Sequence, residues 1–193
     1  MLTILALLLQ TAPAPTPIDC GVAVVRANPT PNFAALDRIT HLAMLAAGAE
    51  GEDDFFARVG PTTRTIRDKA GTAAPGVSLD ACAAAFPTSW ASSAAPLPAE
   101  SFDRRMACFA TGASIEGLTE TFLKNNADPD GEVRRIHDAA GRFRSIVSED
   151  DFAKHGVADP ASARVTAMHA LFVASGLGTP LTVFRACEAA FPA

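Results

Sequence analysis

Residues 175–192, SGLGTPLTVFRACEAAFP, describe a helix together with both of its ends. Thr179 stands before Pro180, a capping side chain ahead of a proline at the first helical position, where the missing N–H loses no hydrogen bond. Phe184, Cys187 and Phe191 recur at steps of three and four and share one face, which points the cysteine inward. Phe191-Pro192 then stops the element, because proline cannot continue a helix beyond its first turn.

The same segment stands upstream. Residues 70–87, AGTAAPGVSLDACAAAFP, lie over 175–192 without a gap at an offset of 105. The match pairs Gly71 with Gly176, Pro75 with Pro180, Cys82 with Cys187, Phe86 with Phe191 and Pro87 with Pro192. It also places Leu79, Cys82 and Phe86 on one inward face. A second match, at an offset of 97, sets Glu52-Asp53-Asp54-Phe55 over Glu149-Asp150-Asp151-Phe152, with Arg38-Ile39 over Arg135-Ile136 upstream. The chain therefore reads as two related halves, 18–90 and 99–193, joined by 91–98 (ASSAAPLP).

Other apolar stripes support an all-α fold with four to five short helices per half. Phe102, Met106 and Phe109 form one stripe, and Ile115, Leu118 and Phe122 a second. Two more run through Val133, Ile136, Ala140, Phe143 and Val147, and through Ala161, Val165, Met168 and Phe172. Thr30-Pro31, Asp128-Pro129 and Asp159-Pro160 repeat the cap-proline start, and Ser148 with Asp151 forms a capping box. Gly48, Gly71, Gly156 and Gly176 stand where helices would stop. Composition agrees. The 193 residues contain 40 alanines against 33 Leu, Ile and Val, with no Tyr, which leaves little for a β fold.

Residues 2–9 (LTILALLL) are apolar but too short to span a bilayer, and Ala12 and Ala14 make an A-x-A match behind them. We read 1–14 as a secretory signal, 15–17 as a Pro-rich leader, and the mature chain as periplasmic or secreted. No later segment is long and apolar enough to suggest a membrane span. Cys20, Cys82, Cys108 and Cys187 form no C-x-x-C pair, so an exported chain would use them as two disulfides. Three pairings are possible. The duplication favours Cys20–Cys82 and Cys108–Cys187, which repeat one geometry twice. A net charge of −5 argues against nucleic acid as a partner.

Little in the sequence carries chemistry. The paired EDDF blocks fit helix starts, where carboxylates favour the macrodipole. Residues 126–137 (NADPDGEVRRIH) have Asn126, Asp128, Asp130 and Glu132 arranged somewhat like a calcium loop, but His137 stands where the bidentate glutamate belongs. His41, His137, His155 and His169 are widely spaced, with His155 at a helix end and His169 at a core edge. Trp90 reads as a packing residue closing a core. No nucleophile elbow, phosphate loop or H-E-x-x-H is present, and no cofactor is called for. The expectation is an exported, non-catalytic module that binds a protein or small ligand. The rival readings are a hydrolase with its site in the cleft between halves, and a calcium-binding protein using 126–137.

Overall fold

The computed structural model describes residues 14–30, 32–72 and 76–192. The expected signal segment lies outside these residues except for Ala14, as do Pro31 and Pro75. The described chain is all-helical and has no strand. Its first part holds α1 (Pro17–Ala27), α2 (Phe33–Gly48), α3 (Phe55–Thr72), α4 (Leu79–Ala85) and α5 (Pro87–Trp90). Its second holds α6 (Ser101–Asn125), α7 (Glu132–Gly141), a 3-10 turn (Arg142–Ser145), α8 (Glu149–Lys154), α9 (Pro160–Leu177) and α10 (Pro180–Ala190).

Local capping chemistry starts many of these helices. The Asp159 side chain accepts from the N–H groups of Ala161 and Ser162 at the start of α9, and Thr179 accepts from Thr182 at the start of α10. Ser148 and Asp151 form the complete reciprocal box at α8. Other starts differ from expectation. α2 begins at Phe33 behind Asn32, whose side chain accepts from Ala35 N–H, two residues after the expected Pro31. α7 begins at Glu132 behind Gly131, which takes φ 65°, a backbone shape that suits glycine. Asp128 still serves as a cap, but from farther upstream, accepting from Val133 and Arg134 N–H at 3.2 and 2.9 Å. The stripes around Met106 and Ile115 belong to one helix of 25 residues, since nothing between them breaks the ladder.

Two expected faces are also revised. In α9 the buried residues are Ala170, Leu171, Ala174 and Ser175, whereas Val165 is 64% exposed. The small residues win because they let α9 approach α6, where Ala170 and Leu171 share a cluster with Met106 and Ala110. In α4, Cys82 is fully buried but Leu79 faces solvent.

α2 organises the fold. Eleven of its 16 residues are buried, the polar Asp37, Thr40 and His41 among them, so the helix is enclosed on most sides by its neighbours. Ala35, Ile39, Leu42 and Ala43 pack with Cys20, Val24, Ile66 and Cys82 from α1, α3 and α4. Phe33 and Leu36 join Cys108, Ile115, Phe122, Phe184 and Cys187 on another side. Met44 and Ala47 complete a third cluster with Phe55, Met106, Ala110 and Leu171. The apolar core is therefore continuous across residues 91–98. That connector is packed too: Ala95 N–H donates to Thr182 C=O at 3.2 Å, and Ala95 and Leu97 touch the core.

Disulfides tie Cys20 to Cys82 and Cys108 to Cys187, joining α1 to α4 and α6 to α10. Both later helices end alike. The Phe86 and Phe191 N–H groups close onto Cys82 and Cys187 carbonyls at 2.8 and 2.9 Å, and a proline follows each. Phe86-Pro87 additionally makes a corner, because Pro87 opens α5. Close helix contact depends on two glycines. A Cβ on Gly21 would lie 2.6 Å from the Ile66 side chain, and one on Gly112 would lie 2.8 Å from Phe143 Cβ.

Candidate functional site

The four histidines do not converge. His137 Nδ1 lies 2.8 Å from Thr119 Oγ1, and His155 stacks on Phe102 at 3.7 Å between centroids. His169 is exposed and pairs with Glu52 at 2.6 Å, rather than lining a core edge. The alanine face of α9 turns it outward. Among the described residues no group of three His, Cys, Asp or Glu side chains could hold a metal ion.

Among the described residues, His41 is the histidine held between a serine hydroxyl and a backbone carbonyl. Its Nε2 lies 2.8 Å from the Ser175 carbonyl, which can only accept, so Nε2 carries the proton. Its Nδ1, 2.8 Å from Ser89 Oγ, is then the acceptor and the serine hydroxyl donates to it. A base oriented toward a serine is the hydrolase arrangement. Here, however, His41 is 0% and Ser89 1% exposed, so no substrate reaches either. Burial holds the imidazole pKa below its ordinary value, against an opposing effect of the Ser175 hydrogen bond. The pair fastens α2 to α5 and α9.

One turn earlier on α2, the buried carboxylate of Asp37 accepts from Leu181 N–H at 2.9 Å and from the Thr179 side chain, at the start of α10. Burial pushes its pKa up to about 6, although those hydrogen bonds and the charges of Arg38 and Arg185 oppose the rise. Arg38 donates to the Ser89 carbonyl at 3.0 Å and lies 4.8 Å above the Trp90 ring. Trp90 thus packs against the cluster that holds Cys20 and Cys82.

The EDDF blocks adopt different structures. Glu149–Phe152 opens α8, and Asp151 serves both as a capping-box residue and as an ion-pair partner of Arg105 at 2.8 Å. Glu52–Asp54 instead makes a turn before α3, with Asp54 at φ 56°. The helix-start expectation therefore holds only for the second block. In the 126–137 loop, Asp128 is engaged by α7 N–H groups and the Asp130 carbonyl by Arg135 at 2.8 Å. Asn126 caps the α6 end through its amide, which donates to the Phe122 carbonyl at 3.1 Å.

A groove of about 540 Å³ opens where the C-terminal ends of α1 and α6 meet α2 and α3. Its size falls within the range of small-molecule pockets. Val25, Leu36, Ile39 and Phe122 supply apolar surface, and Asn28, Asn125, Asn126 and Arg67 supply polar groups. Asn126 is the one candidate ligand residue from the sequence that belongs to this groove; Asp128, Asp130 and Glu132 do not line it. Sequence reading missed the rest. They come from four helices and the α1–α2 connection, and the only local hint is the asparagine at each helix end.

No family model matches the chain, and no curated protein or solved structure shows significant similarity to it.

Proposed function

We propose that this is an exported, disulfide-braced helical module that binds a small ligand in the α1–α2–α6 groove and does not catalyse a reaction. The observation that carries this reading is the composition of the groove wall. It offers apolar surface, amides and a guanidinium, but no His, Asp, Glu, Cys or Lys among the described residues. Such a wall can recognise a ligand but has no side chain suited to moving a proton at neutral pH. The Ser89–His41 pair is sealed in the core, which weighs against the hydrolase reading.

A neutral apolar fluorophore, N-phenyl-1-naphthylamine, tests the reading. It should bind at a single saturable site, and Thr121→Trp, at an exposed α6 position that also lines the groove, should abolish that binding while leaving the melting temperature unchanged. Fluorescence that does not saturate, or that Thr121→Trp leaves intact, would sink the proposal.

Export is the second part of the reading. Two disulfides fit an oxidising compartment, and the apolar run with its A-x-A match supports removal of residues 1–14. Expression in a Gram-negative host followed by N-terminal sequencing should give a mature start at Pro15. Intact Met1 on soluble cytosolic protein would refute it. The two sequence matches and the shared Phe-Pro helix ends support an internal duplication, while the unlike EDDF structures count against its second block.

A further inference from the structure

We infer that the groove selects an organic monoanion, a carboxylate or sulfonate attached to an apolar body, through Arg67. This rests on the binding reading above and names the ligand class. Arg67 is the only formally charged side chain among the described residues of the wall, and it makes no hydrogen bond or ion pair with any described residue. The chain as a whole is acidic, at −5, so a guanidinium without an acidic partner beside an apolar surface stands out chemically. Its planar fork matches a carboxylate or sulfonate through two parallel hydrogen bonds, and one cation matches one negative charge.

The helix ends oppose this in part. The C-termini of α1 and α6 both reach the groove, and their dipoles disfavour an anion. Three groove amides blunt them: Asn28 donates to the Val24 carbonyl at 2.8 Å, Asn125 to Thr121 at 2.8 Å and Asn126 to Phe122 at 3.1 Å. Each uses one N–H for this purpose and retains its second. A charge-assisted, two-point contact to the Arg67 guanidinium outweighs the blunted dipoles, because it acts on the anion at hydrogen-bond range. In the same wall, Leu36, Ile39 and Phe122 give the apolar body its surface.

A matched pair of probes decides it. 8-Anilino-1-naphthalenesulfonate is N-phenyl-1-naphthylamine with one added sulfonate, so both bring nearly the same apolar body. The sulfonate should bind about tenfold more tightly than the neutral probe, a factor of ten being 1.4 kcal/mol. Arg67→Gln should erase that difference, and decanoate should displace the sulfonate from wild type. Equal affinities for the two probes, or a sulfonate preference that survives Arg67→Gln, would overturn the anion assignment and leave the groove reading standing. Loss of both probes in wild type would remove both.

Discussion

Reduction is expected to unfold this protein, or nearly so, at physiological temperature. The disulfides span 62 and 79 residues. Loop-closure entropy assigns them roughly 4–4.5 kcal/mol each, an upper figure because compact denatured states lower it. Total stabilities of single domains are about 5–15 kcal/mol, so losing both bridges removes most of what holds such a fold together. The core makes the dependence sharper. Many of its buried positions are alanine, including Ala35, Ala43, Ala47, Ala107, Ala110, Ala140, Ala170 and Ala174, and each buries far less apolar surface than a leucine would. The bridges also hold the seven-residue α4 against α1 and α10 against the 25-residue α6. The double variants Cys20→Ala/Cys82→Ala and Cys108→Ala/Cys187→Ala should each melt about 10 °C or more below wild type. An unchanged melting temperature in reductant, with all thiols shown to be free, would refute the argument.

His41→Ala carries the second large effect, a loss of about 3–5 kcal/mol. The substitution opens a cavity at a fully buried site, and it leaves the Ser175 carbonyl and the Ser89 hydroxyl without a shared partner. Cavity formation and unpaired buried polar groups each cost a few kcal/mol. Urea denaturation reads the change directly, and a loss below about 1 kcal/mol would show that the staple contributes little.

The same region sets the pH response. Unfolding lets His41 take up a proton near its ordinary pKa of 6.5, which the folded core resists. Its contribution is therefore full above about 6.5 and is lost as pH falls below that value. Asp37 runs the other way. Its carboxyl is pushed up to about 6 from 3.8, so the folded state holds a proton across that window and is weakened as pH rises through it. Asp37→Asn keeps an acceptor for Leu181 N–H and removes this counter-trend. The variant should be at least as stable as wild type at pH 7, and should lose more stability than wild type between pH 7 and pH 5. Parallel pH profiles for the two proteins would show that Asp37 does not govern this window.

The sequence alone determined the all-helical class and several helix starts, because a cap such as Asp159, Ser148 or Thr179 acts on N–H groups two or three residues away. It also pointed to both cysteine pairs, through a self-match that placed Cys82 and Cys187 at like positions. Tertiary structure decided the remainder. Which face of α9 is buried depends on what α6 presents to it, and both an alanine stripe and a Val165–Phe172 stripe have helical period. The central role of α2 was hidden, because its polar Asp37, Thr40 and His41 are buried as well and so mark no solvent face. Asp37 and His41 find partners 144 and 134 residues away, at Leu181 and Ser175. The groove wall combines residues 25–39, Arg67 and 121–126, segments with no common local pattern. Capping is short-range hydrogen bonding and so can be read from neighbours in sequence, whereas burial and convergence depend on contacts that exist only once the helices pack.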